Sequence, residues 1–338
     1  MKVDLRLDSA LEGTAVRAKE LVSLGADGLF TFEGANDVFV PLTLAAAAVR
    51  ADLMSNVAIA LPRSPLHLAH VAYDLQTLSR GRFRLGLGSQ IRPHIEKRYG
   101  ATWSNPAARM REMVLAIKAI FAAWEGKAPL RFEGRFTTHT LMPQAFNPGP
   151  NPFGPPEVCL GALGPRMTRA AAEVADGLLV MPFNSAKHFR ERTMGAVAEG
   201  LAAAGREPTD LRIYPQVIVG VGRKPAELSA AAKGVRALLA FYGSTPAYRP
   251  VLDVEGWSEL QPELNVLSKQ GNSAAMADLI DDTMLATLAV HGTPEQCAAA
   301  ILERFGAYTD RVCCYFPGYP VSNSHVAELI QALRAGAA

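Results

Sequence analysis

The chain has 338 residues, 49% of them apolar and 20% charged, with a formal net charge of +2. That composition suits a folded chain with a large core and excludes a disordered or low-complexity polymer. Near-neutral charge, and no apolar run near the ~20 residues that span a bilayer, argue against a nucleic-acid or membrane partner, so any anion site must be local. The opening MKVDLRLDSA alternates like a strand and lacks a signal peptide's apolar stretch, which predicts a cytoplasmic protein. Cys159, Cys297, Cys313 and Cys314 show no CxxC spacing and read as core thiols, without a disulfide frame or zinc site.

Apolar periodicity predicts alternating strands and helices along the chain. Strand 3–7 leads to helix 14–24, strand 28–32, helix 41–49 and strand 57–61. Ser64-Pro65 is a cap followed by an N1 proline and opens helix 66–78, and strand 83–87 follows. A polar stretch then leads to helix 107–124. Residues 126–156, rich in Pro, Gly and Asn, are too long for an ordinary connection and read as an insertion. Beyond them come strand 158–161, helix 165–174, strand 178–181, helix 187–204, strand 211–221 and helix 226–241. A second insertion is placed at about 243–272, with further helices to 288 and 294–305, strand 311–316 and helix 322–333. Eight strands, each followed by helix and with no linker-like break, predict a single α/β domain over 1–338. Its expected form is a closed (β/α)8 TIM barrel, in preference to an open sheet.

In such a barrel the loops after the strands share one face. Helix 165–174, with Met167, Ala170, Ala171 and Val174 on its apolar stripe, aims its first turn at that face. Gly161, Ala162 and Gly164 before it are small enough to expose main chain, and Arg166 lies beside them, so the loop can cradle a phosphate. The same glycines also serve plain close packing, and GALGP is neither a P-loop nor GxGxxG. A second small-residue rim, GLGSQ, ends strand four. Two such rims on one face suit a flat, extended cofactor.

Several stretches resemble the luciferase-like flavin and deazaflavin oxidoreductases, the (β/α)8 barrels related to bacterial luciferase: AKELVSLGADGLFTFE, GRFRLGLGSQ, GALGPRMTRAAAEVADG and HGTPEQCAAAILERF. SQIRPHIEKRYG, HTLMPQAF and FYGSTPAYRPVL are similar to the subgroup that depends on coenzyme F420. The resemblance implies that Gly161, Ala162, Gly164, Pro165 and Arg166 hold the cofactor phosphate and ribityl chain. It also implies that Ala60, Leu61, Gly88 and Ser89 line the ring, and that a non-proline cis peptide falls near Ala60-Leu61. Relatives commonly pair through their second and third helices, which implies a homodimer. One departure is Ala172, where family helices carry glycine.

A deazaflavin hydride transfer needs substrate placement, exclusion of water and one managed proton, and no metal. Candidates for the proton are Glu33 at the end of strand two, His67 in the first turn of the third helix, His94 after strand four and His139 in the first insertion. Glu33 is expected to be partly desolvated and so a useful base, with capping or pairing to an arginine as the alternative. His67 and His70 lack the HExxH pattern of a metal pair. Arg92, Lys97 and Arg98 form a basic cluster suited to the acidic oligoglutamate tail of F420, and Tyr242, Tyr248, Arg249 and Trp257 suggest a lid. The expected activity is hydride transfer between coenzyme F420 and a small organic substrate. Its rivals are a monooxygenase using reduced FMN from a separate flavin reductase, and a non-catalytic flavin-binding barrel.

Overall fold

The computed structural model describes residues 1–7 and 11–336. Eight parallel strands form the barrel: β1 (Lys2–Arg6), β2 (Gly28–Thr31), β3 (Asp52–Ser55), β4 (Phe83–Gly88), β5 (Glu157–Ala162), β6 (Gly177–Val180), β7 (Arg212–Val221) and β8 (Arg311–Tyr315). Each strand bonds to the next, and β8 closes on β1 with Val312 opposite Val3. Closure leaves no free sheet edge and brings every strand tip to one face. Around it run α1 (Thr14–Ser23), α2 (Val40–Ala48), α3 (Pro65–Leu78), α4 (Pro106–Trp124), α5 (Pro165–Val174) and α6 (Met194–Ala204). Among the described residues, no helix is long and apolar enough to cross a membrane.

The third strand differs from expectation. It is Asp52–Ser55, and the expected strand 57–61 shrinks to a two-residue extension, Ala58–Ile59, that pairs with the end of β4. Accordingly the cis peptide lies at Asn56-Val57 rather than near Ala60-Leu61, because β3 stops at Ser55.

The loop after β7 carries further helices. Helix α7 (Pro225–Gly243) reads in sequence as the barrel's own seventh helix, but it opens a bundle with α8 (Arg249–Val254), α9 (Leu260–Lys269), α10 (Ser273–Asp278) and α11 (Asp282–Leu288). These helices bury Leu239, Leu252, Leu264, Ile280 and Leu285 in an apolar core of their own. The upper part of β7 leaves β8 and pairs instead with Val290–Gly292. Both α7 and α12 (Pro294–Phe305) pack on β7, and α13 (Asn323–Ala335) follows after β8.

Residues 126–156 hold a short antiparallel hairpin, Phe132–Glu133 with Thr138–His139. Its turn donates the N–H groups of Arg135, Phe136 and Thr137 to the Glu112 carboxylate of α4 at 2.7–2.8 Å. The rest of the segment is bonded under the last turns of α3, through Tyr73 to Gly149 and Gln76 to Gly154. All four cysteines are buried and unpaired. The glycine expected at position 172 has moved to the neighbouring helix: a Cβ on Gly200 of α6 would lie 2.7 Å from the Ala172 Cβ, so a small residue on either side permits the close α5–α6 contact.

Candidate active site

The barrel interior is filled by Phe30, Met54, Cys159, Leu179, Tyr214 and Cys313, with Val57 above them. Val57 explains the glycines of the rim. A Cβ on Gly88 would lie 2.4 Å from Val57 Cγ2, and one on Gly161 would lie 3.0 Å from Val57 Cγ1. The room left by those two glycines is therefore occupied by an isopropyl group, which forms a half-buried shelf across the β4 and β5 tips. Val57 thus fills the side of Gly88 and of Gly161 on which a side chain would stand. Ala60 is also fully buried, its N–H bonded to the Gly88 carbonyl at 2.9 Å, whereas Leu61 and Ser89 are half-buried.

At the amino end of α5 the space is open. A Cβ on Gly164 would meet nothing within 4 Å. No side chain caps this helix, and its first internal bond runs from Thr168 N–H to the Gly164 carbonyl at 3.0 Å. The preceding N–H groups of Arg166 and Met167 are left to an outside acceptor, at the positive end of the helix dipole. The Arg166 side chain is exposed and has no partner among the described residues. Pro165, exposed at N1, has no N–H to satisfy, and Ala162 is buried at the end of β5. Of the residues expected to form a cradle, Gly164, Pro165 and Arg166 lie at this open helix end.

Glu33 follows β2 and its side chain is only 6% exposed, as expected for a desolvated carboxylate. It is not an unengaged base. Oε2 accepts from Ile59 N–H at 2.8 Å and from Arg63 Nη1 at 2.6 Å, and Oε1 accepts from the Tyr99 hydroxyl at 2.8 Å. Arg63 also donates to the Ile59 carbonyl at 2.6 Å. Three segments, after β2, β3 and β4, are thereby clamped to one carboxylate, because an ionised group at this burial requires charge-assisted partners. Nearness to Glu33 raises the pKa of the Tyr99 phenol, after burial, which acts first.

The histidines are dispersed. His67 is exposed in the first turn of α3, and His70, one turn on, lies against Trp124 with ring centroids 4.8 Å apart. His94 is half-buried in the turn that also carries Tyr99. His139 bonds through Nε2 to Thr137 Oγ1 at 2.9 Å, burial pushes its pKa down, and it sits on the hairpin held by α4. No contact among the described residues joins it to Glu33, His67 or His94, because the insertion folds against α4 and α3. The basic cluster is also partly spent: Arg92 pairs with Glu96 at 3.0 Å and Arg98 donates to the Gly34 carbonyl at 2.7 Å, leaving Lys97 exposed and unpaired.

The opposite side of the opening is aromatic. The Arg6 guanidinium lies 4.5 Å from the Phe32 ring centre and 5.0 Å from that of Tyr315. Above them the bundle contributes Tyr242 and Tyr248, ring centres 6.0 Å apart, and both pack near Phe183 from the loop after β6. Sequence reading placed Tyr242 and Tyr248 in a lid, but the pairing of Arg6 with Phe32 joins residues distant in the chain and carries no local signal.

A closed barrel with an uncapped helix end and an exposed arginine, an apolar shelf and an aromatic roof, all at the strand tips, defines a (β/α)8 protein. The model of the luciferase-like monooxygenase family matches residues 5–311, and the chain belongs to that family of flavin- and F420-dependent oxidoreductases and monooxygenases. An uncharacterised protein of Mycobacterium tuberculosis is 45% identical over 317 residues, 94% of this chain and 93% of its own. A 5,10-methylenetetrahydromethanopterin reductase of Archaeoglobus fulgidus is 31% identical, covering 71% of this chain and 69% of its own. Among solved structures, the coenzyme F420-dependent tetrahydromethanopterin reductase of Methanopyrus kandleri superposes with a TM-score of 0.81 at 20% identity, over 99% of this chain and 98% of its own.

Proposed function

We propose that the chain moves a hydride between coenzyme F420 and a small organic substrate. The observation that carries this reading is the uncapped amino end of α5, with open space at Gly164 and an unpaired Arg166, on the same face as the Val57 shelf. The F420 dependence of similar reductases supports the choice of cofactor. The N–H groups of Arg166 and Met167 and the Arg166 guanidinium would hold the anionic chain. Val57, with Leu61 and Ser89 beside it, would support the ring. When bound, the deazaflavin supplies a carbon that gives or takes a hydride.

The protein's own part is placement and exclusion of water. Glu33, through Arg63, Tyr99 and the Ile59 N–H, keeps the tips of β2, β3 and β4 in register beneath the ligand. His94, on the same turn as Tyr99, is retained as a contact to cofactor or substrate, and His67 as an outer one. The α7–α11 bundle excludes solvent over β8 and β1. Two copies are proposed to pair through α2, where Val40 and Leu44 are 42% and 38% exposed.

Titration of the purified chain tests the cofactor. Coenzyme F420 is expected to bind at least about tenfold more tightly than FMN, and the reverse order overturns the reading. The reverse order would favour an FMN-dependent monooxygenase, the reading carried by the description of the family model. Sedimentation equilibrium decides the dimer, with a single protomer mass as the contrary result.

A further inference from the structure

Tyr242 sits in the last turn of α7, under the roof of the mouth. Its ring is held by Phe183 at 6.0 Å and by Tyr248 at 6.0 Å edge-on, and its nearest ionisable neighbours are Tyr315, Tyr248 and Arg6. That places the phenol over the tips of β8 and β1, across the opening from the Val57 shelf and the α5 end. The hydroxyl has no hydrogen-bond partner among the described residues and is not sealed from solvent. Phenols elsewhere in the fold are engaged, Tyr73 donating to Glu125, Tyr99 to Glu33 and Tyr319 to the Val219 carbonyl, whereas Tyr248 beside Tyr242 shares its lack of a partner among the described residues. Burial pushes the Tyr242 pKa well above that of an ordinary phenol, so the group stays protonated and is a donor at any working pH.

A neutral donor within an aromatic wall discriminates by shape and by one acceptor. Stacked or edge-on rings favour a flat, polarisable molecule, and an unpartnered hydroxyl among them favours one that brings an oxygen acceptor. We infer that Tyr242 is the hydrogen-bond donor to the substrate carbonyl oxygen, and that the substrates are flat, conjugated carbonyl compounds seated among Tyr242, Tyr248, Phe183 and Tyr315. This rests on the proposed hydride transfer for the identity of the site, and it adds the substrate class and the residue that selects it.

The test uses benzalacetone carrying 13C at its carbonyl, with the purified full chain alone and again with oxidised coenzyme F420 present. The bound carbonyl resonance is expected to move downfield of its position in an aprotic, apolar solvent, as it does when a carbonyl oxygen accepts a hydrogen bond. In Tyr242→Phe the ring wall is kept, so affinity is expected within about threefold of the parent while the downfield move disappears; in Tyr242→Leu affinity is expected to fall at least about tenfold. Circular dichroism and the cofactor titration on each variant confirm that the fold and the cradle are intact. An unchanged resonance shift in Tyr242→Phe, or failure of the parent chain to bind benzalacetone, overturns the assignment. Preference for FMN over F420 overturns the cofactor reading alone and leaves the carbonyl shift standing.

Discussion

The two ends of the barrel use polar groups in opposite ways. At the end where the strands begin, Arg311 of β8 pairs with Asp4 and Asp52, Arg84 of β4 joins Asp52 to Glu157 at 3.2 and 3.1 Å, and Arg212 reaches Glu157 at 2.5 Å. Those charges are matched, and together they stopper the barrel. At the strand tips the helix N–H groups of α5, the Arg166 side chain and the Tyr242 hydroxyl are left without protein partners among the described residues. The Glu33–Arg63 pair is the exception on that side, and the unpartnered groups around it are those the proposed ligand would satisfy.

The stopper should therefore be expensive to break. Arg311→Met strands Asp4, whose pKa burial already lifts to about 6 against the pull of Arg311, and leaves Asp52 to Arg84 alone. A loss of about 3–5 kcal/mol is expected in urea denaturation; a loss below about 1 kcal/mol would show that the network is ornamental. Next in size is His188, buried beside Asn184 with Nδ1 at 2.9 Å from its Oδ1, and pushed down to about 4 by burial and then by Arg192. The unfolded chain binds this proton near pH 6.5 and the folded chain does not until about pH 4. Stability is thus full above pH 6.5 and falls as pH drops towards 4, by on the order of 3 kcal/mol. His188→Gln is expected to flatten that slope in a pH series of unfolding curves, and a slope unchanged by the substitution rules out this residue.

Changes at the other end divide into supports and ligand contacts. Glu33→Gln is expected to cost about 1–3 kcal/mol of stability by weakening the clamp, with the pH profile of turnover kept. A folded, equally stable variant with altered pH dependence would instead restore Glu33 as the base. Gly88→Ala is expected to cost about 1–3 kcal/mol through collision with Val57, and adding Val57→Ala should return most of it. If the double variant is no more stable than the single, the shelf is misplaced. Arg166→Ala should leave stability within about 0.5 kcal/mol and weaken coenzyme F420 about tenfold in fluorescence titration; unchanged affinity would remove Arg166 from the cradle.

The barrel was legible because each strand and helix carries its own period, and α5 was located to the residue because Gly164 and Pro165 punctuate its start. Where the local pattern misled, a tertiary partner had decided. The run VAIAL looks more like a strand than DLMS, yet the barrel takes DLMS, since that is the stretch that bonds both β2 and β4. Helix α7 has an ordinary amphipathic pattern, and nothing in it says that it meets α9, α10 and α11 as well as strand β7 of the barrel. Glu33 was found, but its partners lie 26 to 66 residues away, so its pairing could be posed only as an alternative. The rim glycines were found too, while their occupant, Val57, depended on the chain's path after Ser55.

The bundle after β7 keeps a separate apolar interior and meets the barrel through a few residues, Phe183 and Ile218 among them. Mutational drift among its helices can therefore reshape the ceiling of the chamber while the eight-stranded cylinder keeps its register. Specificity and foldability are in that way entrusted to different parts of the polypeptide, and selection can act on one without wagering the other.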